Sequence, residues 1–289
     1  MNIPIKKLKN GFKIPVLGLG TWGFGGRMER IKNYDEKKDI KSIQKAIRMG
    51  FTSFDVAEAY AQGYSEEILG KGLKNQDRSK LFITSKVSPV NLSYKDTIKS
   101  CKASLKRLQL DYLDMYLIHN PNHNIVIDET MKAFDELKKE GLVKNIGVSN
   151  FLIDSFKKAQ SKTSNKLVVN QIHYSLLFRI PEAIGLLKYC QENDVLLEAW
   201  RPLHYGQLGV KGIKIMDELA LKYNKKPAQI ALNWLISQDN VFTIVKASSI
   251  HHLEENIKAV NWKMEKKDIE YLRKKFPYKI MRSSAVQPS

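Results

Sequence analysis

The sequence predicts an α/β fold, a (β/α)8 TIM barrel with an N-terminal β-hairpin that caps the bottom of the barrel. Eight short apolar segments rich in β-branched residues recur along the 289 residues, with helical patterns between them. The segments begin at Val16, Thr52, Leu81, Leu113, Val143, Leu167, Val195 and Val241. Most intervals are close to the roughly 30 residues that one strand and its crossover helix require.

The hairpin and the helices have their own signals. Residues 1–15 contain two short β patterns joined by Asn10-Gly11, the strongest short-range hairpin signal. In 37–49, Ile40, Ile43 and Ile47 form one apolar stripe and Gly50 follows as a stop signal. Similar stripes predict helices at Tyr94–Leu108, Glu129–Lys139 and Ile213–Tyr223.

The interval after Val195 is the longest and holds two helical patterns separated by 225–227, so the seventh unit should carry an extra loop and helix. No linker or low-complexity segment divides the chain. We therefore expect one domain over residues 1–289, with a short tail at 277–289.

Composition excludes several classes of protein. The chain is 43% apolar and has no apolar run near the roughly 18 to 20 residues that cross a bilayer. Its start lacks a signal-peptide core, so a cytoplasmic location is expected. The net charge of +18 comes mostly from scattered Lys residues, which predicts solvated helix faces and no nucleic-acid or membrane partner. Cys101 and Cys190 are expected to be reduced, buried thiols, and no metal site is indicated.

A dinucleotide-binding turn of the doubly wound class is a competing interpretation. Residues 18–23 match GxGxxG after a strand. However, Phe24-Gly25-Gly26 follows where a helix should begin, and no acidic residue ends a second strand about 20 positions later. The barrel is the better prediction.

Proton-handling side chains lie at or near the ends of neighbouring predicted strands. In this fold the carboxyl ends of the strands form the active-site face, so the side chains should share one pocket. They are Asp55, Tyr60, Lys86 and His119. Each alone has a structural explanation, such as a helix cap, a rim aromatic or a core histidine, but the four together indicate catalysis.

These residue types suit a proton relay. A phenol has a pKa near 10 and donates a proton poorly unless its anion is stabilised. A lysine ammonium within about 4 to 6 Å provides that stabilisation, and a carboxylate keeps the ammonium charged and oriented. Such a relay can protonate a developing alkoxide but supplies no hydride, so a cofactor must do so.

The chain resembles the aldo-keto reductase family from Gly18 to about Asn261. The matching motifs are Leu19–Gly23, Phe54–Tyr60, Thr84–Val87, Asp111–His119, Gly147–Phe151, Asn170-Gln171 and Leu253–Asn256. The resemblance implies reversible reduction of aldehydes and ketones with NADPH, and it leaves the use of NADH open. It also implies that Tyr60 is the general acid, that Lys86 and Asp55 tune it, and that His119 orients the carbonyl.

The resemblance further implies a set of cofactor contacts. The residues expected to contact the nicotinamide cofactor are Gly20, Thr21, Trp22, Asp55, Ser149, Asn150, Gln171, Trp200, Arg201, Pro202, Leu203, Lys246, Ser249, His252, Glu255 and Asn256. The residues expected to contact the substrate are Trp22, Tyr60, His119 and Asn120.

Some positions depart from the family pattern. Trp200 stands where a tyrosine usually stacks on the nicotinamide. Arg201 stands where a small polar residue is common, and we expect it to contact phosphate. His252 replaces a frequent arginine, which leaves NADH use open. Asn120 replaces a frequent tryptophan and predicts a more polar, roomier pocket. Ser65 is interpreted as a helix N-cap with Glu66 and Glu67 in the first turn.

The interpretation that the sequence favours is a reductase of small carbonyl substrates, monomeric or weakly self-associating. Two alternatives stay open. Lys86 at a strand end could form a Schiff base, as in barrel lyases. The segment 60–66 resembles the YxxGxSE-like loop of a family branch related to potassium-channel β-subunits, so the chain could instead be a nucleotide-binding regulatory protein of that kind.

Overall fold

The chain begins with an antiparallel hairpin in a computed structural model that describes residues 2–246 and 249–277. Its strands are β1 (Ile5–Lys7) and β2 (Lys13–Pro15). Gly11 at the turn has φ of 90°, a left-handed conformation that glycine adopts at little cost. Lys9 N donates to Asp194 Oδ2 at 3.0 Å and Lys6 Nζ to Gln238 O at 2.7 Å. Both acceptors lie just before barrel strands, so the hairpin contacts the bottom of the barrel as predicted.

Eight parallel strands form a closed barrel, which confirms the predicted fold class. They are β3 (Leu17–Gly20), β4 (Ser53–Asp55), β5 (Phe82–Val87), β6 (Leu113–Ile118), β7 (Val143–Ser149), β8 (Leu167–His173), β9 (Leu196–Trp200) and β10 (Val241–Lys246). Every strand starts within one residue of the predicted position. Around the barrel, β10 neighbours β3, and the other strands follow in sequence order.

Helices follow the strands. They are α1 (Lys37–Met49), α2 (Tyr64–Leu73), α3 (Tyr94–Leu108), α4 (Ile127–Lys139), α5 (Ile153–Gln160), α6 (Ile180–Ala183), α7 (Leu186–Glu192), α8 (Lys214–Tyr223), α9 (Pro227–Ile236), α10 (Ile250–Ile257) and α11 (Lys266–Lys275). The four predicted helices agree within two residues at each end. The interval after β9 does carry an additional helix, since α8 and α9 both lie in it. Among the described residues, none of the helices is long and apolar enough to cross a bilayer.

The chain falls into two compact units by its internal contacts. Unit I is Leu19–Asn170, and unit II joins the residues up to Gly18 to those from Gln171 onward. Organisation as one domain therefore stays a prediction. The predicted tail lies outside the described residues, apart from Pro277. Cys101 in α3 and Cys190 in α7 are buried thiols that form no disulfide with each other, as expected.

The register of the strands within unit I sets the relative positions of the candidate functional side chains. Gly20 pairs with Asp55, and Asp55 pairs with Thr84, across three adjacent parallel strands. Lys86 lies two residues beyond Thr84, where its side chain is on the same face of β5. The long lysine side chain therefore extends toward the level of Asp55 from a neighbouring strand.

Helix packing in unit I gives a stability prediction at Gly70 of α2. A Cβ at Gly70 would lie 2.6 Å from Leu108 O of α3. Helix propensity alone favours alanine over glycine by about 1 kcal/mol. The added Cβ would however clash with a backbone oxygen, which cannot move aside as the end of a flexible side chain can. We expect Gly70→Ala to lower the free energy of unfolding by about 1 to 3 kcal/mol in urea titration. Gly209→Ala, whose Cβ would meet nothing closer than 3.9 Å, is the control. If Gly70→Ala and Gly209→Ala had equal free energies of unfolding, the close approach of α2 and α3 would be contradicted.

Candidate active site

A buried cluster forms around the ammonium of Lys86. Lys86 Nζ lies 2.6 Å from Asp55 Oδ1 and donates to Val56 O at 3.1 Å and Tyr60 OH at 3.2 Å. The Lys86 and Asp55 side chains are 0% and 2% exposed. An ion pair so far from water requires such partners to offset desolvation. The structure therefore brings together the three residues that the sequence assigned to a proton relay.

Tyr60 reaches this cluster from a strained turn. The 3-10 turn Tyr60–Gly63 joins β4 to α2, and within it Ala61 and Gln62 have φ of 49° and 57°. Side chains other than glycine adopt this region at a cost, and such strain is common at functional sites. Ala61 N donates to Arg27 O at 2.6 Å, which ties the turn to the loop after β3.

Aromatic rings fix the direction of the Tyr60 ring. Trp22 contacts it edge-on with ring centroids 4.9 Å apart, and His119 contacts it similarly at 5.5 Å. His119 follows β6, and its backbone N–H donates to Val87 O at 3.0 Å. The phenol is 8% exposed. All four predicted catalytic residues therefore lie close together in unit I, with Trp22 beside them.

The His119 imidazole is neutral over the ordinary pH range. Burial, and to a smaller degree the positive charge of Lys86, lowers the pKa of His119 to about 3. A neutral imidazole donates one hydrogen bond and accepts one. At this position His119 can orient a polar group without adding a second positive charge beside Lys86.

Asn150 connects the ends of β6 and β7. Its Nδ2 lies 3.1 Å from His119 O, 2.9 Å from Asn120 Oδ1 and 3.0 Å from Ser149 Oγ. Its φ of 62° is left-handed, a conformation that asparagine tolerates better than most residues. The predicted cofactor residue Asn150 thus contacts both the predicted substrate residue Asn120 and its neighbour Ser149.

Thr21 supports the backbone of β4. Its N–H and its hydroxyl both donate to Asp55 O at 3.0 Å. The hydroxyl of Ser65 in α2 lies 3.0 Å from Thr21 Oγ1 and 3.2 Å from Thr21 O. The prediction that Ser65 is an N-cap is wrong, because α2 starts at Tyr64 after Gly63, whose φ is 86°. Ser65 lies inside the first turn, and its side chain is directed inward.

Trp200 of unit II belongs to a stack of rings that the sequence reasoning missed. His173 lies nearly parallel to Phe178, with centroids 3.9 Å apart, and to Trp200, at 4.5 Å. His204 stacks on the same imidazole at 5.6 Å. The signal available in the sequence was the position of His173, two residues after Gln171 at the end of β8.

The segment after β9 has a left-handed backbone at several positions. Arg201, His204, Tyr205 and Gly206 all have positive φ. The Arg201 guanidinium lies over the rings of Trp200, at 4.8 Å, and Tyr205, at 4.3 Å, and donates to Tyr205 OH. This places a permanent cation beside Trp200. Pro202 is buried and Leu203 is partly exposed in the same segment.

The remaining predicted cofactor residues of unit II lie at β8, β10 and α10. Gln171 is buried in β8, and Lys246 is exposed at the last position of β10. Ser249 is the N-cap of α10, because its Oγ accepts a hydrogen bond from His252 N at 3.3 Å.

Two of the predicted cofactor residues in α10 are less accessible to a ligand: Glu255 has protein partners and Asn256 is buried. Glu255 Oε2 lies 3.2 Å from Lys226 Nζ and 3.6 Å from His251 Nε2. Asn256 is 4% exposed. Ser249, His252 and Lys246 are therefore the more accessible members of this group.

The family model for the aldo/keto reductase family matches residues 16–276. The chain belongs to the aldo/keto reductase family, and it is accordingly an oxidoreductase. The recognition made from the sequence motifs is thereby confirmed.

Individual relatives agree with this assignment. The chain is 35% identical over 266 residues to the glyoxal reductase of Bacillus subtilis, covering 91% of this chain and 90% of that protein. It is 35% identical over 279 residues to a methylglyoxal reductase of Escherichia coli, covering 94% of each. A crystal structure of an aldo-keto reductase from Klebsiella pneumoniae in complex with NADPH covers 100% of both chains, with a TM-score of 0.87 and 29% identity.

The buried His173 predicts a pH-dependent stability. Both ring nitrogens lack a hydrogen-bond partner among the described residues, and burial, with His204 and Arg201, lowers the pKa of His173 to about 3. The unfolded chain, with a histidine pKa near 6.5, binds the proton first, so stability is lost as pH falls from 6.5 toward 3.

We expect His173→Phe to stabilise the protein, because phenylalanine keeps a flat ring in the stack and removes the unpartnered nitrogens. The gain in the free energy of unfolding should be about 2 kcal/mol larger at pH 5 than at pH 8. Urea titrations at the two pH values measure it. His123→Phe, at an exposed position, is the control. A gain independent of pH would show that the pKa of His173 is the same in the folded and unfolded states, and it would contradict the prediction.

Proposed function

We propose that the protein reduces small aldehydes and ketones to alcohols with NADPH, and that Tyr60 is the general acid. The observation that carries the proposal is the position of Lys86 Nζ, 2.6 Å from Asp55 Oδ1 and 3.2 Å from Tyr60 OH. The ammonium donates to the phenol oxygen and so stabilises the phenolate that remains after proton transfer.

Asp55 and His119 have different roles in this proposal. Asp55 holds Lys86 charged and directed at the phenol. His119, whose pKa is lowered to about 3, stays neutral and offers a hydrogen bond to the substrate carbonyl. The polarised oxygen then receives the proton from Tyr60.

The side chains present fit the chemical parts of a nicotinamide dinucleotide. The hydroxyl of Ser149 and the amides of Asn150 and Gln171 match a carboxamide, and Trp200 offers an indole face for the nicotinamide ring. Arg201 and Lys246 are cations for phosphate groups. NADPH, when bound, supplies the hydride. We propose that the other residues predicted to contact the cofactor do so as well. They are Gly20, Thr21, Trp22, Asp55, Pro202, Leu203, Ser249, His252, Glu255 and Asn256.

NADPH is the proposed cofactor rather than NADH. Lys246 is an exposed cation just before α10, the helix that Ser249 caps. A helix N-terminus and a nearby lysine together favour an anionic group such as a 2′-phosphate. The Klebsiella relative was crystallised with NADPH.

The proposed substrates are small α-dicarbonyl compounds. The two relatives described above are named for glyoxal and methylglyoxal. Asn120, held by Asn150 at 2.9 Å, gives the predicted pocket a polar wall instead of an aromatic one. A polar wall suits a substrate that carries a second carbonyl next to the reacting one.

The geometry disfavours the lyase alternative. A Schiff-base lysine attacks as the neutral amine. Lys86 Nζ is inaccessible, is paired with a carboxylate and donates to two further oxygens. The regulatory alternative is disfavoured because Asp55, Tyr60, Lys86 and His119 are assembled with relay geometry.

Removing the Tyr60 hydroxyl tests the acid assignment. We expect Tyr60→Phe to lower kcat for methylglyoxal reduction by at least about 100-fold, the typical contribution of a general acid. NADPH affinity, measured by quenching of tryptophan fluorescence, should stay within about twofold. Tyr271→Phe, at an exposed tyrosine of α11, is the control. Full activity of Tyr60→Phe would refute the proposed acid.

Two charge deletions test the cofactor assignment. We expect Arg201→Ala to weaken NADPH and NADH binding equally, about tenfold, because the proposed pyrophosphate contact is common to both. Lys246→Met should weaken NADPH binding alone, since only NADPH carries the 2′-phosphate. Fluorescence titration with NADPH and with NADH measures the dissociation constant of each variant relative to wild type, which gives four ratios for the two variants and two cofactors. Unchanged dissociation constants for Arg201→Ala would exclude its phosphate contact.

A further inference from the structure

The first turn of α2 makes side-chain contacts that a surface helix would not need. We propose that Ser65 and Glu66 form a clamp that positions the Tyr60 phenol against Lys86 and Asp55. The proposal rests on the proposed function, because it concerns the same proton relay.

Glu66 attaches the helix to the strand that carries Lys86. The Glu66 carboxylate is 0% exposed, and its Oε1 accepts a hydrogen bond from Ser85 Oγ at 2.6 Å. Ser85 and Lys86 are neighbours in β5, so their side chains leave opposite faces of the strand. Ser85 therefore holds β5 from the helix side while Lys86 extends to Tyr60 on the other.

Arg107 of α3 provides the charge that Glu66 needs. Arg107 Nε lies 2.6 Å from Glu66 Oε2, and Arg107 Nη2 donates to Ser104 Oγ at 3.1 Å. Burial raises the pKa of Glu66, and Arg107, Ser85 and Ser104 oppose this by bonding to the carboxylate. The buried carboxylate is thus held by donors from both β5 and α3.

The same arginine packs beneath the turn that carries Tyr60. A Cβ at Gly63 would lie 2.7 Å from Arg107 Cδ, so the arginine side chain touches the backbone there. Gly63 ends the strained turn and caps α2. Arg107 therefore contacts the segment from Tyr60 to Glu66 at two points, the Gly63 backbone and the Glu66 carboxylate.

Ser65 attaches the same turn of helix to the strand that carries Asp55. Its hydroxyl lies 3.0 Å from Thr21 Oγ1, and Thr21 in turn donates twice to Asp55 O. Consecutive residues of α2 are therefore connected to the strands of both relay partners. Since α2 directly follows the Tyr60 turn, any movement of the clamp changes the distance from Tyr60 OH to Lys86 Nζ.

A pair of matched serine variants tests the clamp. Ser85→Ala removes the fully buried hydroxyl that donates to the Glu66 carboxylate. Ser104→Ala removes a fully buried hydroxyl that accepts from Arg107, the other partner of that carboxylate, but only Ser85 adjoins Lys86. The readout is the pH at which the Tyr60 phenol ionises in the protein without cofactor. It is obtained from ultraviolet difference titration of each variant against its Tyr60→Phe counterpart, so it needs no turnover.

We expect Ser85→Ala to move the ionisation of Tyr60 upward by about 0.5 to 1 pH unit, because the ammonium no longer lies as close to the phenol. Its kcat should fall about 3- to 10-fold with KM unchanged, and the high-pH limb of the kcat profile should move with the ionisation. Ser104→Ala should change neither the ionisation of Tyr60 nor kcat, although we expect both variants to lose thermal stability. Ser85→Thr, which restores a hydroxyl, should restore the ionisation.

The proposal is overturned if both serine variants shift the ionisation equally or if neither does. Should Ser85→Ala be too unstable to titrate, Ser65→Ala carries the same expectation through Thr21 and Asp55. A shift in Ser85→Ala together with full activity of Tyr60→Phe would refute the proposed function and leave the clamp intact.

Discussion

The ammonium of Lys86 is a fully buried cation, and its need for partners constrains the surrounding structure. Transfer of an unpaired charge from water into a protein interior costs many kcal/mol, so a carboxylate and further acceptors must be held in place. Asp55 and Val56 O meet that requirement at 2.6 and 3.1 Å. The third acceptor, Tyr60 OH, is the group that the proposed reaction uses. The same contacts that make the buried charge tolerable therefore prepare the phenol for proton transfer.

Parallel strands alone do not complete this arrangement. Register places Asp55 and Lys86 on neighbouring strands, but Tyr60 lies on a turn outside the barrel sheet. A turn with Ala61 and Gln62 in the left-handed region persists only when its surroundings hold it. The surroundings here are the loop after β3, through Arg27 O, and the start of α2. Strain in the turn is thus balanced by hydrogen bonds at both of its ends.

The strands and several of the helices could be predicted because their signals are local. Apolar β-branched runs gave strand starts within one residue, and the Ile40, Ile43 and Ile47 stripe gave α1 at its observed ends. The proximity of the four candidate catalytic residues could be predicted as well, since the carboxyl ends of the strands converge in any barrel of this class. The direction of the Ser65 hydroxyl could not be predicted, because a serine before two glutamates has the local signature of an N-cap. The αL backbone at Gly63 instead starts the helix two residues earlier, and the stacking of His173 likewise depends on tertiary contacts.

The distribution of these residues along the chain separates two chemical tasks. Every contact of the proposed proton relay, from Thr21 to Arg107 and His119, lies within unit I. The cations proposed for cofactor phosphates, Arg201 and Lys246, belong to unit II. Because the hydrogen bonds that hold Lys86 and Tyr60 come from unit I, substitutions at the phosphate positions leave those bonds in place. If the proposed assignments hold, substitutions in β10 and α10 would change the preference between dinucleotides without altering the geometry of the proposed proton relay.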